Sequence, residues 1–160
     1  MNGSVFSWVG RQVAAFELRD ASPVLEVGSA DVNGTIRPHF QAKHYTGVDV
    51  AEGPGVDLVV SPTVLPFNSD FFAAVISTEM LEHAEFPAVI LWEMRRVLRP
   101  GGVLLLTTRS EGFPPHNPPD YHRFSAPQIR DLFRWIGLIV ETVESDPEAP
   151  GVFVAARKPT

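Results

Sequence analysis

The chain has 160 residues, of which 44% are hydrophobic and 20% charged, and its formal net charge is −6. This length predicts one globular domain, residues 1–160, with its own core. The absence of cysteine excludes disulfides, thiolate nucleophiles and cysteine metal sites, and it agrees with a cytoplasmic protein. Nucleic-acid binding needs a clustered basic surface, so the acidic balance and the scattered arginines argue against a nucleic-acid partner.

The N-terminal segment is predicted to form a helix. Residues 1–20 contain no basic stretch before a long apolar run, so we expect no signal peptide, and no run elsewhere is long enough to span a membrane. Five apolar residues of this segment follow helical spacing, namely Val5, Trp8, Val9, Val13 and Phe16. Such a helix can pack on a sheet or act as a lid over a cofactor cleft, and the spacing fits both arrangements.

Apolar runs along the rest of the chain predict seven strands. They cover residues 24–27, 44–48, 57–60, 73–77, 103–108, 138–143 and 152–156. Their alternation with helical or loop segments is typical of a doubly wound α/β sheet with parallel strands. The last two strands are joined by residues 144–151, which are too few for a crossover helix, so this pair is predicted to be antiparallel.

Two further helices carry recognisable start and stop signals. Pro87 lies in the first turn of one helix, which the Pro100-Gly101-Gly102 segment ends. Ser125 and Gln128 have the spacing of a capping box at the start of the other helix, and Gly137 closes it. The apolar stripes of both helices are predicted to face the core.

Two acidic residues follow the first two predicted strands. Residues 24–30 (VLEVGSA) form an apolar strand that ends in an acid and a glycine turn, and residues 45–49 (YTGVD) end in a second acid about 20 residues later. This spacing predicts neighbouring parallel strands whose carboxyl ends hold a nucleoside. The glycine lets the backbone approach the ligand, and the second acid can accept hydrogen bonds from both ribose hydroxyls.

Three later motifs add to these two strand ends. The segments EMLEH (residues 79–83) and RVLRPGG (residues 96–102) are separated by one helix, and LPF (residues 65–67) precedes the fourth strand. Together with the two acidic strand ends, they resemble the class I S-adenosylmethionine-dependent methyltransferases, in particular the type 11-like group. The resemblance covers about residues 22–157. It implies a Rossmann-like, doubly wound seven-stranded sheet, mostly parallel with an antiparallel last strand, and S-adenosylmethionine as cofactor.

The resemblance also implies a set of cofactor-binding residues. Asp49 would bind the ribose, the 63–65 segment would flank the adenine, and the glycine turn would approach the methionyl moiety. At Ser61 and Ala73 the chain departs from the family's usual aspartates. The complete implied set is Glu26, Gly28, Ser29, Ala30, Asp49, Ser61, Thr63, Val64, Leu65, Ser77 and Glu79.

The acceptor side of the site is less well defined by the sequence. His83 is the candidate general base, although a histidine there could equally cap a helix or bind a backbone carbonyl. His116, Tyr121 and Arg123 follow the fifth strand, where an acceptor would approach, and Arg123 could instead form a clamp with Asp120. The histidines lack the paired spacing of a helical metal site, so no metal is predicted.

The expected acceptor is a small molecule, a sugar or a lipid, free or attached to a carrier, with an oxygen or nitrogen nucleophile. A second subunit could complete the cleft, as in a homodimer. A nicotinamide reductase fits poorly, because residues 28–34 lack the second glycine of the dinucleotide fingerprint. Asn117-Pro118-Pro119 lacks the aromatic residue that amino-methylating DNA enzymes carry in a similar motif. A non-catalytic protein that keeps the cofactor-binding fold is the remaining alternative.

Overall fold

The computed structural model describes residues 2–115 and 118–160. In these residues the α-helices are α1 (Gly3–Ala15), α2 (Pro87–Val97) and α3 (Ala126–Trp135). The strands are β1 (Val24–Val27), β2 (Tyr45–Asp49), β3 (Leu58–Val59), β4 (Phe72–Thr78), β5 (Leu98–Arg109), β6 (Ile139–Ser145) and β7 (Gly151–Arg157). They form one seven-stranded sheet in the order β3-β2-β1-β4-β5-β7-β6.

The pairing of the strands confirms the predicted fold class. Strands β1 to β5 pair in parallel, and β7 runs antiparallel to both β5 and β6. Most predicted strand boundaries differ from the observed ones by one or two residues, and the largest difference is at β5, which begins at Leu98 and not at Val103. The Pro100-Gly101-Gly102 segment forms a bulge within the strand, where the pairing with β4 jumps from Leu98 to Val103 and Gly101 has a φ of 76°.

The helices cover both faces of the sheet. Helix α1 packs on one face, where Val5, Trp8 and Val9 are fully buried in a core cluster that includes Ile76 and Leu105. Helices α2 and α3 pack on the other face through residues such as Leu91, Met94, Ile129 and Phe133. Of the two arrangements that the spacing of α1 allows, the structure has the one packed on the sheet.

The segments that join β1, β2, β3 and β4 contain little helix to cover this end of the sheet. Among the described residues they contain one 3₁₀ turn, Arg37–His39, between β1 and β2, and no α-helix. Ile36 and Phe40 flank this turn and are buried in the core cluster beneath α1. Leu58 and Val59 of the edge strand β3 stay 40% and 45% exposed, so this end of the sheet is open.

Lys158 ties the C-terminus of α2 to the end of the chain. Its Nζ donates to the carbonyl oxygens of Arg95 and Leu98 at 2.9 and 2.7 Å, and it contacts Oδ1 of Asp70 at 2.6 Å. The lysine is 8% exposed. A cation at this position satisfies the last carbonyls of the helix and complements the negative end of its dipole.

Replacing Lys158 by methionine tests this cap, because methionine keeps an apolar stem but leaves the carbonyls and Asp70 without their donor. We expect Lys158→Met to lower the free energy of unfolding by about 2–3 kcal/mol in urea denaturation. Lys43, the other lysine of the chain, is exposed, and Lys43→Met should change stability by less than about 0.5 kcal/mol. Equal stabilities of the two variants would contradict the cap.

Candidate active site

The carboxyl ends of three strands meet at one crevice. Strand β1 pairs in parallel with β2 on one side and with β4 on the other, with Val27 opposite Val48 and Glu26 opposite Ile76. The chain leaves β1 for β2 and β3, and then returns to β4 across β1, which makes this position the topological switch point where open α/β sheets bind ligands. Gly28, Asp49 and Glu79 lie at the ends of these three strands.

The turn after β1 needs a glycine at position 28 for two reasons. Gly28 has a φ of 80°, which L side chains rarely adopt, and a Cβ at this position would lie 2.7 Å from Cγ of Met80. The N–H groups of Gly28 and Ser29 both donate to the carbonyl of Val48, at 2.9 and 3.0 Å. The side chain of Ser29 is buried against Gly47, so its hydroxyl lies beneath the turn.

Asp49 joins the end of β2 to this turn. Its Oδ2 accepts the N–H of Ala30 at 3.1 Å, and its Oδ1 accepts the N–H of Val50 at 2.7 Å. The side chain is partly exposed. A carboxylate has about four lone-pair positions, so acceptor capacity is left for two ribose hydroxyls.

Glu26 lies beneath the turn and not within it. It is 3% exposed on β1, and its Oε2 accepts the hydroxyl of Tyr45 at 2.7 Å. Burial raises the pKa of Glu26 from 4.5 to about 7, although the Tyr45 hydrogen bond opposes the shift. The Arg37 guanidinium lies 4.6 Å from the centre of the Tyr45 ring and completes this cluster.

The segment predicted to flank the adenine is held in place by α2. The hydroxyls of Ser61 and Thr63 lie 2.7 Å apart, the Val64 side chain is exposed, and Leu65 is buried in the core. The Leu65 N–H donates to Oε2 of Glu93 at 2.8 Å, and Nη2 of Arg96 donates to the Leu65 carbonyl at 2.9 Å. Leu65 therefore anchors this segment, and the Val64 side chain next to it stays exposed to solvent.

Arg96 is the first residue of the RVLRPGG motif and binds the loop at a second point. Its Nη1 donates to the Phe67 carbonyl at 2.9 Å, while Nε and Nη2 contact the two carboxylate oxygens of Glu93 at 2.7 and 2.9 Å. These hydrogen bonds from Arg96 lower the pKa of Glu93, although partial burial opposes the shift. The Arg96–Glu93 pair thus fixes the 65–67 segment against α2, a role that was not predicted from the sequence.

At the end of β4, Glu79 enters a buried ionic cluster. It has a φ of 53°, its N–H donates to the Thr107 carbonyl at 2.9 Å, and its carboxylate pairs with Arg109. Arg109 is 2% exposed and also contacts Oδ2 of Asp146 at 2.7 Å. Ser77 of β4 is also buried. Arg109 and Asp146 were not predicted from the sequence, where the one available signal was an arginine directly after the predicted strand 103–108.

The loops after β4 and β5 are joined beside this cluster. The N–H groups of Tyr121 and His122 donate to the Glu82 carbonyl at 2.8 and 3.1 Å, and Nδ1 of His83 lies 3.0 Å from Oδ1 of Asp120. Arg123 pairs with Asp120, so the clamp is present. The Tyr121 side chain is exposed. The predicted substrate residue His116 and the Asn-Pro-Pro motif's Asn117 lie outside the described residues.

The residues around the crevice fit S-adenosylmethionine. The Gly28 turn presents backbone where a side chain would not fit, Asp49 keeps acceptor capacity for ribose, and Val64 offers an apolar surface for a flat ring.

Among residues 2–115 and 118–160, no helix is long and apolar enough to cross a membrane. The same residues contain no group of three histidine or acidic side chains arranged for a metal ion.

Comparison with known proteins agrees with this arrangement. Residues 25–106, just over half of the chain, match the profile of the methyltransferase domain family. The fold, the crevice and this match identify the domain as one of the class I S-adenosylmethionine-dependent methyltransferases. The chain belongs to the methyltransferase domain family.

One curated relative matches part of the chain. An uncharacterized methyltransferase of Mycobacterium marinum is 35% identical over 72 residues, which is 45% of this chain and 28% of that protein. The chain thus matches little more than a quarter of that relative's length.

Two solved structures share the fold at low sequence identity. The 1,6-didemethyltoxoflavin-N1-methyltransferase of Burkholderia thailandensis, solved with bound 1,6-didemethyltoxoflavin and S-adenosylhomocysteine, has a TM-score of 0.78 at 18% identity over 99% of this chain and 79% of that one. A Haloferax volcanii methyltransferase, solved in complex with the activator Trm112, has a TM-score of 0.73 at 17% identity over 95% of this chain and 89% of that one.

Arg96→Met should weaken cofactor binding without removing a cofactor contact. The variant loses the guanidinium that holds the Leu65 and Phe67 carbonyls, so we expect the Kd for S-adenosylmethionine to rise about 10-fold in calorimetric titration. Arg99, which is exposed in the same motif, provides the matched control Arg99→Met, whose Kd should not change. A Kd for Arg96→Met equal to that of the wild type would show that α2 does not organise the adenine loop.

Glu26→Gln should alter how stability depends on pH. In the wild type the raised pKa of Glu26 stabilises the fold below about pH 4.5, and this contribution is lost as pH rises through about 7. Glutamine keeps an acceptor for Tyr45 but cannot ionise. Between pH 4.5 and 8 the wild type should therefore lose up to about 3 kcal/mol of unfolding free energy relative to Glu26→Gln in urea titrations. Parallel pH profiles of the two proteins would contradict a protonated Glu26.

Proposed function

We propose that this protein transfers the methyl group of S-adenosylmethionine to an oxygen or nitrogen atom of a polar small-molecule, sugar or lipid acceptor, free or carrier-bound. The observation that carries the proposal is the position of the cofactor crevice beside the joined loops after β4 and β5. When bound, the cofactor supplies a methyl group activated by its sulfonium. The chain's residues have to align the acceptor with that methyl group and accept a proton.

Each side of the crevice takes one part of the cofactor. Asp49 binds the ribose hydroxyls, while Ser61, Thr63 and Val64 flank the adenine over the anchor at Leu65. Gly28 and Ala30 face the methionyl moiety, with Ser29 and the buried Glu26 holding their turn from below. Ser77 and Glu79 close the crevice from β4. The contacts that support these roles are those of the glycine turn and of the loop bound by Arg96.

His83 is the proposed catalytic base. It lies in the 3₁₀ turn Leu81–His83 that follows β4, and its side chain is 12% exposed. An imidazole at the rim of a cofactor crevice can take the acceptor's proton near neutral pH. The position after β4, next to the crevice, supports this role. The contact of Nδ1 with the Pro119 carbonyl at 3.3 Å matches the alternative, structural role that the sequence left open.

The acceptor would enter over the loop after β5. A cavity of about 390 Å³ lies there, with Ser110, Glu111, Arg123, Ser125, Ala126, Gln128, Ser145, Gly151 and Val152 in its lining. Six of these nine residues carry hydroxyl, amide or charged side chains, so the lining suits an acceptor with several polar groups. Tyr121 and His116 are placed by the sequence in the same loop. We propose that His116, Tyr121 and Arg123 contact the acceptor.

A protein partner is part of the proposal. The open edge at β3 leaves apolar side chains exposed, and the similar Haloferax methyltransferase is bound to an activator. A second copy of this chain or a separate activator protein could therefore complete the site. Light scattering at increasing concentration distinguishes a homodimer from a monomer, and a monomer would leave a separate activator protein as the partner.

Asp49→Ala tests the cofactor site directly. Loss of the carboxylate removes the ribose acceptor, so we expect the affinity for S-adenosylmethionine to fall at least about 100-fold in calorimetric titration, which corresponds to two charged hydrogen bonds. Asp49→Asn keeps an oxygen for the Ala30 N–H and separates ribose binding from support of the turn. Asp131, exposed on α3, gives the control Asp131→Ala, which should bind like the wild type.

The outcomes separate the two readings of the chain. If Asp49→Ala binds as tightly as the wild type, the assigned cofactor site is wrong. If the wild type binds S-adenosylmethionine but methylates nothing in a panel of sugars, phenols, amines and lipids, the non-catalytic alternative gains support. The substitution of serine for the usual aspartate at position 61 is the observation that keeps this alternative open.

A further inference from the structure

Helix α2 carries an apolar stripe on its solvent side. Phe86 directly precedes the helix, and Val89 and Trp92 follow at three-residue spacing, so the three side chains are neighbours along one side. They are 57%, 48% and 50% exposed. Adjacent apolar side chains that stay this exposed are typical of a surface that binds another molecule.

The helix on the other face of the sheet has no comparable stripe. Among its residues, all of which are described, α1 exposes one large apolar side chain, Phe6, whose ring lies 4.0 Å from that of His39 between centres. On the α2 side, Phe71 adds a further exposed ring near the end of the helix, because its N–H donates to the Val97 carbonyl at 2.9 Å. The α2 side of the sheet therefore offers the larger apolar surface to a partner.

Trp92 lies at the centre of this surface. It is the middle residue of the helix Pro87–Val97, and the guanidinium of Arg95 lies 5.5 Å from the centre of its ring. Tryptophan and arginine are among the residue types that contribute most to the binding energy of protein interfaces. The centre of the stripe thus has the composition of a protein-binding surface.

Opposite charges flank the stripe at its two ends. Glu85 precedes Trp92 by seven residues, Arg99 follows it by seven, and both side chains are exposed. Within residues 2–115 and 118–160 neither of them forms an ion pair, whereas Glu93 and Arg96 of the same helix pair with each other. The stripe therefore has an available acid at one end and an available base at the other.

This distribution of charge is complementary to itself under a twofold axis. In an antiparallel pair of α2 helices centred on Trp92, the two tryptophans meet, and Glu85 of each copy faces Arg99 of the other. A parallel pair would instead bring like charges together. A second copy of the chain therefore matches the surface in both apolar character and charge.

We propose that Phe86, Val89 and Trp92, flanked by Glu85 and Arg99, form an isologous interface between two copies of this chain. The two α2 helices run antiparallel, cover each other's apolar stripes and form two symmetric Glu85–Arg99 ion pairs. The inference goes beyond the proposed function, because it does not depend on methyl transfer. It places the second copy at α2 and not at the open β3 edge.

Sedimentation equilibrium of the purified full chain, from about 1 to 500 μM, tests the apolar part of the interface. We expect the wild type to dimerise and Trp92→Glu to stay monomeric, because the dimer would bury a carboxylate without a partner. Val32→Glu is the control, since Val32 is 80% exposed in the loop after β1, and it should dimerise like the wild type. Far-UV circular dichroism verifies that each variant is folded.

Charge exchange tests the symmetry of the pair. Glu85→Arg and Arg99→Glu should each raise the Kd of the dimer at least about 10-fold, because each places like charges opposite one another. The double variant restores both pairs with their signs exchanged, so its Kd should return to within about 3-fold of the wild-type value. Stabilisation of the helix dipole alone would give no such rescue, because the dipole favours an acid before the helix and a base after it.

Three outcomes would overturn the inference. A wild type that stays monomeric over this range would leave the stripe to a different kind of partner. A dimer that Trp92→Glu leaves intact would have its contact elsewhere, for example at the β3 edge. A double variant that dimerises no better than the single ones would contradict the twofold pairing. Failure of the proposed function is recognised separately, because then the wild type does not bind S-adenosylmethionine.

Discussion

The parallel pairing of β1 with both of its neighbours is the constraint on which the rest of the molecule depends. Because β2 and β4 flank β1 in register, the segments that follow all three strands meet at one edge of the sheet. The carbonyl of Val48 then accepts the N–H groups of the Gly28 turn, and Asp49 accepts that of Ala30. The cofactor crevice is therefore preformed by backbone hydrogen bonds and one carboxylate, and its geometry costs little to maintain when the ligand binds.

Buried ions join the remaining elements to this edge. Arg109 pairs with Glu79 and Asp146, and Asp146 in turn accepts the Ser4 hydroxyl at 2.6 Å near the start of α1. Burial would raise the pKa of Asp146, but hydrogen bonds from Ser4, the Glu148 N–H and Arg109 hold it below its ordinary value. A buried charge is tolerated only when it is paired in this way. The first helix, the β6–β7 turn and the end of β4 are consequently coupled through one guanidinium.

The sequence predicted those features that are encoded locally. Strand β1, the Ser125–Gln128 capping box and the antiparallel β6–β7 pair depend on periodicity, cap residues and loop length, and all three are present. The Arg96 clamp, the Arg109 cluster and the contact of His83 with Asp120 depend on which distant residues meet in the fold. Arg96 lies 29 and 31 positions from Phe67 and Leu65, and Arg109 lies 37 positions from Asp146. Periodicity carries no information on such pairings, so a single sequence leaves them open.

The proposed site consists of a cofactor half and an acceptor half, which are built differently. The cofactor half uses glycine turns and backbone groups, which leave little room for side-chain variation at Gly28 or Gly47. The acceptor half consists of two loops joined by polar side chains and by the Glu82 carbonyl, and loops tolerate substitution and insertion far better than strands. The two halves meet at Glu79, whose left-handed backbone costs about 1 kcal/mol and turns its carboxylate toward Arg109. A change of acceptor can therefore evolve in the second half while the cofactor half stays the same, and for this reason the family identifies the cofactor and not the substrate.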